Sequence, residues 1–426
     1  MNLLLHSSVR VLKEHRDFMR LFTGGAVSSV GDQITLIAAP AIVVAMTGSV
    51  TQTGYVGAVE SAPFLAALFI GKLVDNYDRR RILVLTQFLS AFALASIPLA
   101  AVSGVLSMPQ IFAVALVEGT AFAAFSVGQT SCLPFLLPTS KAVRAGSAAT
   151  SAVASMAQMV GPAAGGLLIA SMRGTAGPAA AYGADAASFL ACGLLIASIR
   201  TPLANSGRHQ QLRAWDGVRY ILRHRQLRLI IGFSSLRALL VAPGLVLIYA
   251  QAHRLGIGAA GIGGLFSLAA FGALLASGLA VPIASRLPVR LVSIITNLLL
   301  ATGFLMESIA RNYGTLLAGE LAFSMSFPIL NSAQLAYRLT LVPDDCAGRV
   351  NAAARMAVYG CVPLGQTIGA ALLGILGPSP VLAIVSICLV AGAVLTAISR
   401  LGQGESPQRP DPAASSTPGR DSIAAS

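Results

Sequence analysis

Charge is scarce in this chain. Only 11% of its 426 residues are Asp, Glu, Lys or Arg, against about 25% in a soluble protein. The shortage excludes an ordinary cytoplasmic enzyme, a disordered chain and a nucleic-acid binder. The five histidines (His6, His15, His209, His224 and His253) fall in terminal or connecting segments. The apolar segments therefore hold no imidazole to serve as base or metal ligand. HExxH, the GxSxG elbow and the Walker GxxxxGK[ST] pattern are missing, so hydrolase, metalloprotease and ATPase chemistry have no residues to carry them. No cofactor or metal is expected, which leaves the proton motive force as the energy source. The five cysteines have no CxxC or metal spacing and read as small buried hydrophobes.

Apolar residues make up 55% of the chain, and the mean hydropathy is +0.76. A helix needs about 20 mostly apolar residues to cross the hydrocarbon core. Twelve such stretches are expected, near 18–46, 54–73, 82–103, 109–130, 146–171, 178–198, 229–250, 258–283, 289–309, 313–335, 347–376 and 378–400. The first is too long for a cleavable signal, and no small-residue cleavage pattern follows it. With both termini placed in the cytoplasm, 24 of the 29 Lys+Arg fall on cytoplasmic segments and 3 on outer loops. That asymmetry sets the orientation and explains the net charge of +13 without nucleic acid. The 26 Arg against 3 Lys suggest a GC-rich bacterial genome, hence a multi-pass protein of a bacterial inner membrane.

The long polar connection divides the chain into an N-terminal bundle (1–199), a linker (200–228), a C-terminal bundle (229–400) and a Ser/Pro/Ala-rich tail (401–426) expected to be disordered. Trp215 to Leu222 has amphipathic spacing suited to the membrane surface. The halves match weakly at an offset of 205. Pro138 and Arg144 correspond to Pro343 and Arg349, and Asp32 corresponds to Arg237. Glu118 and Glu320 both lie in the fourth helix of their half. The expected fold is therefore an all-α integral membrane protein, with 12 transmembrane helices in two pseudo-symmetric six-helix bundles and a binding site near the midplane between them.

Three motifs carry a resemblance. Between spans 2 and 3, Gly71, Leu73, Asp75, Arg79 and Arg80 match G-x-L-x-D-x-x-G-R-R/K, with Asp78 in place of the second glycine. Span 5 holds Gly161, Pro162, Gly165 and Gly166. Span 1 holds Gly31, Asp32 and Gln33, then Ala38, Ala39 and Pro40, with Thr47, Gly48 and Ser49 after it. Together they resemble the major facilitator superfamily, and within it the bacterial branch of macrolide and enterobactin-type siderophore exporters. The resemblance implies a secondary active transporter working by alternating access. It implies a gating loop at Gly71, Asp75, Arg79 and Arg80, and a bend at Gly161, Pro162, Gly165 and Gly166 of the antiporter type. It favours proton-coupled efflux of a drug, siderophore or other secondary metabolite. Proton-coupled uptake of a small solute, or a non-transporting sensor, are the alternatives. The R-x-x-Q-G pattern of span 4 is missing; Ala115, Glu118 and Gly119 hold its places.

Read without the family, these residues have their own logic. Gly71 permits close helix approach, Asp75 can pair with a base or cap a helix, and the arginine run keeps its loop inside. Pro162 removes a helix hydrogen bond and permits a bend. The ionisable groups within spans are Asp32, Glu60, Glu118, Asp185, Arg237, Glu307, Glu320 and Arg355. Each costs about 2.5–3.5 kcal/mol at the bilayer centre, so each should face a cavity or a partner. Proton coupling needs an acid that can be neutral or charged near neutral pH. Asp32 is the first candidate and Glu118 the second; a structural pair of Asp32 with Arg237 or Arg355 is the competing reading. Arg237 and Arg355 suit an anionic substrate. Glu60, Asp185 and Glu320 read equally as cavity-lining groups or solvated helix ends, and Glu307 as interfacial. Phe64, Phe122, Phe125, Phe233, Phe323, Phe327 and Tyr359 can form an aromatic wall. The expected partners are a small-molecule substrate, protons and the lipid bilayer, with the chain acting as a monomer.

Overall fold

The computed structural model describes residues 15–66, 70, 77–201, 203, 214–399 and 401–402. Gly71, Asp75 and the tail beyond Gly402 lie outside the described residues. Among those described, the chain is helical with no strand. The elements are α1 (Arg16–Thr47), α2 (Val50–Ser61) with a 3-10 turn (Ala62–Ala66), α3 (Arg79–Val102), α4 (Met108–Leu136), α5 (Ser140–Ala170), α6 (Ala176–Ala197), α7 (Ala214–Arg223), α8 (Arg225–Val241), α9 (Gly244–Arg254), α10 (Ala259–Arg286), α11 (Val289–Ser308), α12 (Tyr313–Leu341), α13 (Asp344–Tyr359), α14 (Val362–Leu376) and α15 (Pro378–Ile398).

Among the described residues, ten helical segments are long and apolar enough to cross a membrane. The chain is a multi-pass membrane protein. The expected spans 229–250 and 347–376 are each broken in two. Pro243 lacks the N–H that would continue α8, and α9 starts after it. The α13–α14 break falls at Gly360 and Cys361, with Pro363 in the first turn of α14. Of the expected span 54–73, the described residues form the 12-residue helix α2 followed by the 3-10 turn, with Ile70 again helical. His253 sits in the last turn of α9 rather than in a connection.

Lipid tails are as apolar as leucine, so helices in a bilayer associate through close packing at small residues. A Cβ on Gly119 of α4 would overlap the Glu60 carbonyl oxygen of α2, and one on Gly177 of α6 would lie 2.4 Å from the Ile169 carbonyl oxygen of α5. The opposite faces carry exposed apolar side chains, such as Leu85, Phe92, Leu99 and Val102 on α3. They form the surface a membrane would cover.

Helices α1 and α3–α6 pack on one another, as do α8–α15; α5 against α10 and α2 against α14 join the two sets. The joining contacts gather at the end bearing the α1–α2, α5–α6 and α9–α10 connections, the expected outer end. There one buried cluster runs through both sets, with Ile42, Ile97, Ile169 and Tyr182 from the first and Ile248, Ile262 and Leu265 from the second. At the opposite end the buried clusters of the described residues are separate. Phe18, Leu83, Leu136 and Ile196 form one; Ile221, Leu227, Val289 and Val350 form the other.

Candidate functional site

The described part of the loop before α3 explains the departure at Asp78. Its carboxylate accepts the Arg80 backbone N–H at 3.0 Å, which caps the α3 N-terminus. The three arginines then diverge. Arg79 is buried, its Nε donates to Ser131 Oγ at 3.2 Å, and its guanidinium lies 5.0 Å from the Phe135 ring centre. Arg80 donates to the Ala197 carbonyl at the end of α6. Arg81 points outward, 3.9 Å from Asp78. Arg79 and Arg80 therefore tie α3 to α4 and α6 and are more than topology anchors. Asp17 closes the same end: it accepts from Thr201 N (2.8 Å) and Thr201 Oγ1 (2.6 Å), and pairs with Arg20 at 2.7 Å.

The Gly–Pro stretch of α5 faces two ways. A Cβ on Gly161 would lie 2.3 Å from Gln33 Cβ, and one on Gly165 2.8 Å from the Ile34 carbonyl oxygen, both on α1. A Cβ on Gly166 would lie 2.4 Å from the Ala259 carbonyl oxygen on α10, where Gly263 in turn meets the Pro162 carbonyl. Next to Pro162, the Ala163 N–H donates to Ser267 Oγ of α10 at 3.0 Å. The motif thus makes a helix crossing within the first set and the seam between the sets.

Inside the first set, α1 and α3–α6 enclose a cavity of about 160 Å³, room for several waters. Asp32 lines it, half-buried, with Ser28, Gln87, Ser90, Ser126 and Gln129. Asp185, Glu118 and Glu60 act on Asp32 electrostatically, and all are acids. Glu118 lies in α4 with its Oε2 buried without a hydrogen-bond partner. Asp185 is buried; Thr35 Oγ1 donates to it at 2.6 Å and Ser188 Oγ at 3.0 Å. Gly31 makes this possible, because a Cβ there would stand 2.2 Å from Asp185 Oδ1. Glu60 is exposed on α2. Among the described residues, no ion pair within 4.0 Å joins Asp32 to Arg237 or Arg355.

A second cavity of only about 10 Å³, room for at most one water, lies in the second set, lined by Ile230, Phe233, Arg237, Ser293, Asn297, Leu330, Gln334 and Leu401. Five pairs across the two linings stand 205 residues apart: Gly25 and Ile230, Ser28 and Phe233, Asp32 and Arg237, Phe125 and Leu330, Gln129 and Gln334. The expected repeat thus places an acid in one cavity and a base at the equivalent position of the other. Arg355 is exposed, 5.8 Å from the Tyr359 ring centre. The aromatic set comes together in part. Phe64 stacks on Tyr359 at 5.6 Å and meets Phe122 edge-on at 6.2 Å, linking the two sets; Phe323 and Phe327 are 5.1 Å apart beneath Arg237.

Glu307 corrects the sequence reading. It is fully buried, not interfacial. Gly303 and Gly319 bring α11 against α12, and a Cβ on Gly319 would stand 2.7 Å from Glu307 Cγ. The Glu307 and Glu320 carboxyls lie within hydrogen-bond reach of each other. Both Glu307 carboxyl oxygens and Glu320 Oε2 are buried without a hydrogen-bond donor, and two carboxylates so close repel unless one is neutral. Sequence reasoning also passed over Gln87, Gln129, Asn297 and Gln334; the 205-residue spacing of the two glutamines was the available signal.

The two helical sets meeting at a glycine seam agree with what the sequence match shows. Residues 21–360 match the model of the Major Facilitator Superfamily, and the chain belongs to that family. The multidrug efflux pump Tap of Mycobacterium tuberculosis is 32% identical over 155 residues, covering 35% of this chain and 36% of that protein. The Tap protein of Mycolicibacterium fortuitum is 30% identical over 175 residues, covering 39% and 42%. The chain matches well under half the length of these relatives. Among solved structures, the nucleoside transporter NupG superposes with a TM-score of 0.69 at 15% identity, over 89% of this chain and 98% of that one.

Proposed function

We propose that this protein is a 12-span exporter of a drug, siderophore or other secondary metabolite, driven by inward proton flow. On this reading residues 1–199 and 229–400 are six-helix bundles joined by the 200–228 linker. Both termini lie in the cytoplasm of a bacterial cell whose inner membrane holds the protein, and the chain acts as a monomer. The carrying observation is the Asp32 cavity: a half-buried carboxylate with Glu118, Asp185 and Glu60 about it and no basic partner within 4.0 Å among the described residues. An acid so placed exchanges one proton for one ligand contact. A proton moving inward at 100 mV supplies about 2.3 kcal/mol before any pH gradient is counted.

Alternating access has support in the packing. The shared core at the expected outer end and the separate clusters of described residues at the inner end support reading this as an inward-facing state. Rocking about the Gly166–Gly263 seam would open the other side. Arg79, Arg80 and Asp78, with Gly71 and Asp75, act as the inner-end latch. Export rather than uptake is favoured by the Gly161–Gly166 stretch and by the efflux named for the Tap relatives. Everted membrane vesicles carrying the protein test this: an imposed interior-acid gradient should drive accumulation of a transported dye. Accumulation only with the opposite gradient would establish uptake.

A further inference from the structure

Helix α7 of the linker is docked, and one of its faces is committed to the contact. It packs along α13 and meets α8 at its end. A Cβ on Gly217 would stand 2.3 Å from the Arg349 carbonyl oxygen, so glycine is what lets the two backbones come this close. Ile221 is buried with Val342, Val350 and Ala353. Tyr220 Oη donates to the Leu341 carbonyl at 3.3 Å, and the Tyr220 ring stacks on His224 at 4.0 Å. His224 is the single residue between α7 and α8, and its backbone N–H donates to the Tyr220 carbonyl at 3.2 Å. The rotation of α7 is therefore fixed, and its C-terminus is held where α8, a membrane-competent segment from Arg225 onward, begins.

Positions 217, 220, 221 and 224 share one helical face. The face turned away carries Arg219, Leu222 and Arg223, all exposed, Leu222 to 59%. Arg225 and Arg228 in the first turn of α8 are exposed as well. Among the described residues, none of these four arginines makes an ion pair within 4.0 Å. They repel one another and receive no compensation from the protein. Holding a loop inside the cell requires only the number of such charges. It requires neither a docked helix nor a leucine set among the charges. A polyanion in solution would match the arginines and leave Leu222 in water. A bilayer surface matches both, with the leucine at the acyl boundary and the guanidinium groups among headgroup phosphates.

We infer, building on the reading that this end faces the cytoplasm, that the outward face of α7 and the first turn of α8 form a docking surface for anionic phospholipid of the inner leaflet. Arg219, Arg223, Arg225 and Arg228 hold the phosphates, and Leu222 enters the interface beside them. Because α7 is fastened to α13, the lipid grips the second helical set.

The single tryptophan of the chain, Trp215, stands one turn before Arg219 on α7 and serves as the reporter. The full-length protein is placed in nanodiscs containing phosphatidylglycerol or phosphatidylcholine brominated near the headgroup end of the acyl chains. Quenching of Trp215 gives the binding ratio of the two lipids. In the unmodified protein phosphatidylglycerol should be favoured about tenfold at low salt, and the ratio should fall toward one in about 1 M salt. Arg219→Gln with Arg223→Gln should cut the ratio by about fivefold or more, while Arg219→Lys with Arg223→Lys should keep most of it. These are exposed positions, so both variants should fold. Three outcomes would overturn the surface: equal quenching by the two lipids, a ratio unchanged in the glutamine variant, or its loss to glycerol phosphate beyond the effect of chloride at the same ionic strength. Arg223→Cys, in a background lacking the five native cysteines, should react with a membrane-impermeant maleimide in everted vesicles and not in intact cells. Reaction only in intact cells would refute the inner placement and leave the lipid preference, which nanodiscs measure on both leaflets, standing.

Discussion

Gly166→Ala separates a conformational seam from a folding contact. The added Cβ would lie 2.4 Å from the Ala259 carbonyl oxygen and 3.1 Å from Ala260 Cα. Ordinary contact begins near 3.4 Å, so the helices must part by about 1 Å, and backbone cannot rotate away as a side chain can. Overpacking of this kind costs about 1–3 kcal/mol. Because the contact joins α5 to α10, the cost falls on the state closed at this end and vanishes when the seam opens. A bias of that size shifts the two-state ratio about 5- to 150-fold toward the open form. Gly263→Ala, 2.2 Å from the Pro162 carbonyl oxygen, should do the same. Gly165→Ala presses on Ile34 of α1 at 2.8 Å, within one set, and should lower stability without changing the ratio. The assay is maleimide labelling of Thr51→Cys in a background lacking the five native cysteines. Thr51 lies against Gly374 where α2 meets α14. Labelling from outside should speed up about tenfold with Gly166→Ala, and stay unchanged with Gly232→Ala, which has open space around it. Equal rates in Gly166→Ala and the background, or the same rise in Gly165→Ala, would refute the reasoning.

Two further outcomes are open to measurement by thermal unfolding in detergent. Asp78→Ala should destabilise the protein by about 1 kcal/mol through loss of the α3 cap, while Asp78→Gly should cost only a few tenths; equal losses would mean that the carboxylate caps nothing. Glu307→Gln, which supplies a donor to Glu320 without a charge, should keep the midpoint near that of the unmodified protein, whereas Glu307→Ala should lower the stability by about 2 kcal/mol through a cavity and an orphaned carboxyl; a neutral Glu307→Ala would remove the pair from the account.

Much of this architecture was legible because the bilayer imposes it. Long apolar runs and the Lys/Arg asymmetry needed no tertiary information to read. The breaks at Pro243 and Gly360 were not legible, since proline and glycine are tolerated inside membrane helices and only packing decides whether the helix restarts. Here Gly369 of α14 fits against Pro243, where a Cβ would stand 2.2 Å from the ring. Glu307 was misjudged for a related reason. Its place near a helix end implied an interface, but Gly303 and Gly319 let α12 close over it, a contact between helices that spacing along one helix does not report. Asp78 stood out as a departure from a pattern, and its cap became visible only with the start of α3. At the site, the acid–base exchange at Asp32 and Arg237 was readable from the 205-residue repeat. The unpartnered Oε2 of Glu118 was not, because hydrogen-bond satisfaction is a property of the folded surroundings.

The account stands or falls on Asp32 as the proton-carrying group. Purified protein in liposomes containing a pH-sensitive dye, challenged with ethidium and with a fluorescein-type anion, measures it directly. A transported probe should move protons in the opposite direction, and Asp32→Asn should fold normally yet uncouple the two flows. Unchanged, gradient-dependent exchange in Asp32→Asn would contradict the account.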